Sequence, residues 1–412
     1  MSPRVAVIGA GIGGLTLALK LHVAGIGCQV FEAVPELSAV GVGINLLPHA
    51  VRELSRLGLG EELASVGVAP RESVYFNRFG QRIHTERIGR AAGYDWPQLS
   101  IHRGDLQTVL ARAVRARLGE RSLVTGHRCE RVDQDERGVT VHLTRADGSR
   151  TRVHAEAAVG CDGIHSAVRR QLHPEQGPPV YSGYNMWRGV SVSPPILGGA
   201  SMIRAGWLAT GKLVVYPIRD QVDDAGRQLL NWVVEIETPR HADRDWNRAG
   251  RVEDFIDVFA DWRFDWLDVP ALIAGAREIL EYPMVDQDPL PWWGTGRVTL
   301  LGDAAHPMVP RGSNGAGQAV LDAAALAAEL GASHDVVTAF AGYEQLRRPA
   351  TSAVVRANRT NPPDAILREV YQRTGDRPFA QIEDVISTGE LDDIIAVYQE
   401  TAGYSLAALR EP

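Results

Sequence analysis

Two glycine-rich segments stand far apart in the chain, GAGIGG at 9–14 and LLGDAAHPMVPRGSNGAGQA at 300–319. The first follows the β-branched run RVAVI and precedes the apolar stretch LTLALKLHVAG, so Gly9, Gly11 and Gly14 lie in G-x-G-x-x-G order between a strand and a helix. In that setting Gly9 permits the tight turn, Gly11 lets the backbone approach a pyrophosphate at the positive end of the helix, and Gly14 lets helix and strand pack closely. Gly13 belongs to the same loop. A second strand, CQVFE, ends in Glu32, roughly 20 residues beyond the glycines, where a carboxylate takes the ribose hydroxyls of an adenosine and repels a 2′-phosphate. The chemistry on offer is dinucleotide binding. The fingerprint alone does not separate NAD from FAD; the second segment does. RVTLLGD reads as a buried strand ending in Asp303, whose carboxylate can accept hydrogen bonds from ribityl hydroxyls. The loop then passes Pro307 and Pro310 to Gly312, Asn314, Gly315 and Ala316, where the helix AVLDAAALAAEL is expected to begin. Its free N–H groups and dipole suit the N1/C2-carbonyl edge of a flavin, so both segments address one FAD.

The elements that must carry these loops fit an ordinary globular chain. At 412 residues, 45% apolar and 23% charged, it has room for two or three domains. A net charge of -7, with Lys20 and Lys212 the only lysines and the arginines spread among acids, argues against nucleic-acid binding. Cys28, Cys129 and Cys161 are three in number and have no paired spacing, which implies reduced thiols and a cytoplasmic setting. The glycines at 9–14 interrupt the amino-terminal apolar run, so it reads as strand and helix and not as a signal peptide. No stretch reaches membrane-spanning length without charges. No metal is expected, because His306 has no partner at ligand spacing and reads as a hydrogen-bonded structural residue. Between 181 and 237, YNMWRGVSV, ASMIRAGWLAT, KLVVYPI and LLNWVVEIE are strand-like and separated by PP, GG and DDAG, which predicts an antiparallel sheet with one face over the flavin. RVEDFIDVFADW predicts an amphipathic helix over 251–262 with Val252, Phe255, Ile256 and Phe259 on one side. Beyond 360 the chain reads as helices, to which no role is assigned.

GAGIGG with Glu32, CDGIHSAVRR at 161–170 and LGDAAHPMVPRGSNGAGQA together resemble the three fingerprints of the single-component, FAD-dependent aromatic hydroxylases, the p-hydroxybenzoate hydroxylase-like flavoprotein monooxygenases. Within that family QLSIHRGDLQ, MWRGV, ADRDWNRAGRVEDF and EYPMVDQDPLPWWGTGRVTLLGDAAH look closest to the 5-methylphenazine-1-carboxylate 1-monooxygenases. The resemblance implies an α/β fold in which a Rossmann-like FAD-binding domain (1–74, 98–180 and 278–360) interleaves with an antiparallel-sheet substrate domain (75–97 and 181–277), followed by a helical segment at 361–412. It implies an enzyme of secondary metabolism or aromatic catabolism that uses FAD, NADPH or NADH, and O2. Oxygen would pass through a flavin C4a-hydroperoxide to an aromatic or heteroaromatic small molecule, with or without decarboxylation. Nucleic acid and membrane are not expected as partners, and the protein would be a monomer or homodimer. A flavin dehydrogenase or reductase, and a non-catalytic FAD protein that sequesters an aromatic ligand, are the alternatives.

The same resemblance assigns candidate residues, each with a plainer reading beside it. Arg103 and Gln107, four apart on one helical face, would reach the ribityl and phosphate region, or merely form a solvated helix start. Asp162 with Gly163 would serve FAD and nicotinamide use, or cap the helix at 165–172. Cys129 would present its backbone to adenine while its side chain fills core. Gly43, in GVGIN at 41–45, would lie beside the flavin ring. No single catalytic residue is implied, because the cofactor carries the chemistry. Pro310, Arg311, Tyr216, Trp207 and Trp187 are candidates for the substrate side, as is Arg188, although aromatic residues in such a sheet are mostly core. Arg311 would pair with a substrate carboxylate or point to solvent or an acid.

Overall fold

Every residue of Val5–Ile8 is buried, which for a short Val/Ala/Ile run implies a central parallel strand covered on both faces. The computed structural model, which describes residues 4–37, 41–238 and 248–410, places it in the middle of a five-stranded parallel sheet. Cys28–Phe31 and Ala157–Gly160 flank it, with Leu123–Val124 and Val298–Leu300 at the two edges. In such a sheet ligands bind outside the carboxyl ends of the strands. The loops after Ile8, Phe31, Gly160 and Leu300 therefore open at one edge, and the two glycine segments meet there. Their helices, Ile12–Val23 and Gly315–Ala332, pack side by side, because a β-carbon at Gly13 would stand only 2.7 Å from Leu301 Cδ2 and 3.2 Å from Ala319 Cβ.

The strand-rich region builds an eight-stranded sheet from Val180–Ser193, Ser201–Gly206, Lys212–Arg219, Gln228–Glu237 and Ile279–Asp286, joined by Glu72–Phe76, Arg82–Arg87 and Arg248–Ala249. All neighbours are antiparallel except Ser201–Gly206 with Glu72–Phe76. The sheet thus takes its strands from between Glu72 and Asp286. One face packs on an apolar cluster containing Trp187, Trp232, Phe255, Phe259 and Trp262. The registers that align Tyr75, Arg204, Val214 and Val233 put these four on the other face, turned toward the glycine loops. That face is unusually polar for a buried surface, holding Ser73, Arg204, Lys212, Asn231 and Glu235.

The helix expected over 251–262 does not form. Two short 3₁₀ turns, Val252–Asp254 and Ile256–Phe259, stand there instead. Phe255 breaks the helix at φ -144° to stack on Trp187, with ring centroids 5.0 Å apart. The four apolar residues still face one cluster, so the burial pattern held while the backbone geometry did not. Residues 242–247 of the neighbouring ADRDWNRAGRVEDF segment lie outside the described residues.

Beyond the long helix Val336–Thr360, the chain forms Ala365–Thr374, Thr388–Thr401 and Leu406–Arg410. Ile366, Leu367, Val370, Leu391 and Ile395 bury against Tyr75 and Ile83, which covers an otherwise open edge of the large sheet. Among the described residues no helix is long and apolar enough to cross a membrane.

Candidate active site

The first glycine loop is shaped by close backbone approach. Gly9 adopts φ 105°, and a β-carbon there would fall 2.4 Å from the Cys161 carbonyl oxygen, while one at Gly14 would fall 2.0 Å from the Gly9 oxygen. Gly11 meets nothing within 4 Å, which leaves the space where a pyrophosphate would pass. Two side chains pin the loop from behind. Ala10 N donates to Glu32 Oε2 at 2.7 Å, and Gln107 Nε2 donates to the Ala10 oxygen at 2.8 Å. Glu32 Oε1 accepts from Val34 N at 3.0 Å, and lone pairs remain on both oxygens for ribose hydroxyls. Arg103 is exposed at the start of the helix Arg103–Leu118, its Cβ 3.7 Å from where a β-carbon of Gly41 would stand. His102, which sequence reasoning missed, accepts from Gly104 N at Nδ1 (3.2 Å), leaving Nε2 to donate to the Gly41 oxygen at 2.8 Å.

Gly43 is bound to the large sheet through both backbone polar groups. Its N–H donates to Asn231 Oδ1 at 2.7 Å, and its carbonyl accepts from Tyr216 OH at 2.9 Å and from Arg188 Nη2. A β-carbon at Gly43 would stand 2.6 Å from Ile218 Cγ2. Tyr216 and Arg188 therefore hold the strand Gly43–Leu46 in place, and Asn231 joins them without any earlier signal in its apolar strand context.

Asp162 realises its capping reading. Its Oδ2 accepts from Ala167 N at 2.7 Å at the start of the helix Ala167–Leu172, which also takes Ser166 as N-cap. Asp162 Oδ1 is buried without a partner, and burial raises the carboxyl above its ordinary pKa despite the hydrogen bonds. The Cys129 side chain sits in the core beside Leu143, its thiol pushed up to about 12 by burial.

In the second segment the strand ends at Leu300 and a 3₁₀ turn, Gly302–Ala304, presents Asp303 to solvent. A β-carbon at Gly315 would lie 3.7 Å from Asp303 Oδ1, so this carboxylate stands at the mouth of the helix Gly315–Ala332, whose N-cap residue Asn314 makes no side-chain cap. Ala316 is the second helical residue, half-buried. Behind the loop lies a buried network. His306 Nε2 meets Asp322 Oδ2 at 2.5 Å, Arg347 Nε meets Asp322 Oδ1 at 2.8 Å, and Arg347 Nη2 donates to Gln318 at 2.6 Å. Burial by itself would raise the Asp322 carboxyl, but His306 and Arg347 hold it below the usual range. His306 is structural, as expected. Asp322, an acid in the middle of an alanine-rich helix, was its unread signal.

The carboxy-terminal helices grip the loop itself. Asn358 Nδ2 donates to the Val309 oxygen at 3.0 Å, Tyr398 OH donates to Asn358 Oδ1 at 2.7 Å, and Gln318 Nε2 donates to the Ala402 oxygen at 3.1 Å. Gly312 packs so closely on Tyr398 that a β-carbon would stand 1.5 Å from its hydroxyl. Pro310 is exposed. Arg311 lies over the Tyr184 ring, 4.9 Å from its centroid, with Nε and Nη2 buried and without partners.

A narrow cleft opens between Gly312–Ser313, Leu47–Pro48 and the polar face of the large sheet, lined by Tyr75, Glu86, Tyr94, Met202, Arg204 and Tyr404 among others. Neither tryptophan candidate belongs to it. Trp187 is 3% exposed in the cluster on the opposite face, and Trp207 packs beside Tyr75 against Leu367 and Val370 of the tail. Arg311 is likewise outside its lining, and Tyr216 lies behind Gly43.

Residues 3–192 and 285–358 match the family model for the FAD binding domain. The phenazine 1,6-dicarboxylic acid hydroxylase PhzS of Lysobacter antibioticus is 44% identical over 390 residues, 93% of this chain and 95% of that protein. The chain belongs to the FAD-dependent flavoprotein monooxygenases. The 3-amino-4-hydroxybenzoate 2-monooxygenase of Streptomyces cremeus is 34% identical over 97% of this chain and 96% of its own length. The crystal structure of Klebsiella pneumoniae HpxO complexed with FAD and uric acid superposes with a TM-score of 0.77 at 26% identity, covering 98% of each chain. This flavoprotein monooxygenase is accordingly an enzyme that uses FAD and NAD(P)H to hydroxylate an aromatic small molecule. The open space at Gly11, the unpaired Asp162 Oδ1 and the exposed Asp303 beside an uncapped helix start fit an extended dinucleotide with a flavin at its far end.

Glu32→Ala is expected to reduce FAD occupancy of the purified monooxygenase by tenfold or more, since it removes both the adenosine-side carboxylate and the Ala10 anchor, roughly 1.5–3 kcal/mol of charge-assisted bonding. The check is the flavin absorbance ratio together with chromatography of the released cofactor. Occupancy equal to the parent, or release of FMN, would overturn the placement.

Proposed function

We propose that this monooxygenase hydroxylates an aromatic or heteroaromatic carboxylic acid of the phenazine type, and that the cleft beneath Gly312–Ser313 is where the ring lies. The observation that carries this is the cleft's position: one wall is the loop expected beside the flavin, and the floor is a sheet face holding a buried cation among tyrosines. A phenazine dicarboxylic acid, an aminohydroxybenzoate and, for the Pseudomonas fluorescens relative at 32% identity over 87% of this chain, a hydroxynicotinate appear in the names of similar proteins.

FAD would be held by the Gly9–Gly14 turn, Glu32, Arg103, Asp162, Asp303 and the first amides of the helix at Gly315. Bound there, the cofactor supplies hydride acceptance from NAD(P)H and activation of O2. The chain's own part is positional. Asn231, Tyr216 and Arg188 fix Gly43, so that backbone would border the ring of a bound flavin. The tyrosines of the cleft offer flat apolar surface to a flat substrate. Ile395 and Gln399 of the tail helix Thr388–Thr401, with Pro363 and Tyr404, form the outer wall, which would exclude water and favour oxygen transfer to substrate over loss of H2O2.

The test is a panel of phenazine, hydroxybenzoate and hydroxynicotinate carboxylates beside their amides, scored for stimulated NAD(P)H oxidation and for product mass. Stimulation with a gain of one oxygen for acids supports the reading, and product mass also reveals any loss of CO2. Equal response to acids and amides, or no response to either, would overturn it.

A further inference from the structure

We propose that the Arg204–Glu86 end of the cleft reads the acid group of the substrate, binding an oxyanionic substituent together with one proton. This rests on the cleft being the substrate site. Arg204 is 8% exposed, and its guanidinium carbon lies 5.4 Å from the Tyr75 ring centroid. Among the described residues its one side-chain hydrogen bond goes from Nη1 to Ser73 Oγ. A guanidinium has five N–H donors, so most of them are left for a ligand in the cleft. Glu86, on the strand beside Tyr75, accepts from Gln399 Nε2 at 2.8 Å and from Tyr75 OH at 3.4 Å. No ion pair between Arg204 and Glu86 forms among the described residues, although both line the same cavity. A cation and a carboxyl that share a cleft without closing on each other leave a place for a third group between them.

An oxyanion in that place takes charge-assisted bonds from Arg204 but meets the Glu86 carboxylate as a like charge, unless one of the two carries a proton. Burial pushes the Glu86 carboxyl up to about 7, against the pull of Arg204, Gln399 and Tyr75. An arriving anion raises it further, so one proton is taken up from solvent and held between Glu86 and the ligand oxygen; no bond other than to that proton changes. The other groups around Glu86 are Arg87 on its own strand, which also lines the cleft, Tyr75 and Arg204 from the adjoining strands, Asp392 and Gln399 from the helix Thr388–Thr401, and Tyr94 and Tyr404 across the cleft. Burial raises all three tyrosines, Tyr94 to about 12, so they remain protonated near neutrality. It lowers His84, which pairs with Asp392 at 3.2 Å.

The experiment measures Kd on the FAD-loaded protein, by calorimetry, for phenazine-1-carboxylate, its primary amide and 1-hydroxyphenazine between pH 6 and 9. The carboxylate is expected to bind at least about tenfold tighter than the amide, and Arg204→Met to erase that preference. Above pH 7 the carboxylate's Kd is expected to rise toward tenfold per unit in the parent, because the proton must be supplied. Glu86→Gln should flatten that slope while keeping the preference for the acid. If 1-hydroxyphenazine shows the Arg204 dependence and the carboxylate does not, the oxyanion read is a phenolate. Should Arg204→Met fail to retain FAD, the pH slope in Glu86→Gln decides alone. Acid preference that survives Arg204→Met, or a slope that survives Glu86→Gln, overturns the subsite while leaving the cleft as substrate site. Binding of none of the three ligands overturns both.

Discussion

Lys212→Met is expected to destabilise the folded protein by about 3–5 kcal/mol, the usual consequence of removing one member of a buried ionic cluster. The Lys212 ammonium lies 3.1 Å from Glu235 Oε1 and directly against Asp364, and the three side chains are 2%, 5% and 1% exposed. Met replaces the aliphatic stem but leaves two carboxylates in the interior. Asp364 belongs to the Pro362–Pro363–Asp364 turn that opens the tail, so the cluster ties the tail to the face of the large sheet. Burial by itself would raise the Asp364 carboxyl; Lys212 and then Arg311 bring it below its ordinary range. A carboxyl lowered by folding contributes stability above its unfolded pKa and loses it as pH falls through its folded value. The parent's advantage over Lys212→Met should therefore be full at pH 7 and shrink in acid below about pH 4. Urea unfolding of the cofactor-free protein at both pH values measures it. The triple variant K212M/E235Q/D364N should recover most of the loss, because no unpaired charge remains. A loss under about 1 kcal/mol at pH 7 would mean that the cluster does not pin the tail.

Gly312→Ala should be nearly as damaging, and for a steric reason. The added β-carbon would stand 1.5 Å from Tyr398 OH and 2.9 Å from Asn358 Oδ1, so either the loop or the helix Thr388–Thr401 must move. Overpacking of this kind costs about 1–3 kcal/mol, and the strain falls on the loop that borders the cleft. Weaker FAD retention and more H2O2 per NAD(P)H oxidised are the expected results, read by flavin absorbance and a peroxide assay. Tyr398→Ala on the same background removes the clash and should restore FAD retention relative to Gly312→Ala. The double-variant cycle separates the two: additive losses would show that Gly312 and Tyr398 do not act through one contact.

Much of the cofactor frame was legible in the residues. Gly9, Gly11, Gly14 and Glu32 obey local rules of turn geometry and strand periodicity, which act over a few residues and need no tertiary knowledge. The helix at Gly315 began one residue before its expected start, and Asp162 capped its helix as its plainer reading required. The failures share a cause. RVEDFIDVFADW has helical spacing, but Phe255 gains more by stacking on Trp187 than the backbone loses by leaving the helix. The surroundings of Trp187 and Trp207 were not legible either: register puts Trp187 in the apolar cluster on the far face of the sheet, and Trp207, just past the end of the strand Ser201–Gly206, packs against the tail. The tail received no role because its helices carry ordinary amphipathic spacing.

The sequence by itself determined which cofactor the chain holds and that a strand-rich region forms a sheet, since glycine loops and strand alternation are written in contiguous residues. Only the tertiary structure decided who shapes the cleft. Arg204, Glu86, Asn231, Lys212, Asp364 and Tyr398 come from segments far apart in the chain. Each is an unremarkable residue in its own stretch, and acquires meaning only when sheet register and tail packing bury it beside a partner whose charge or bulk it must satisfy.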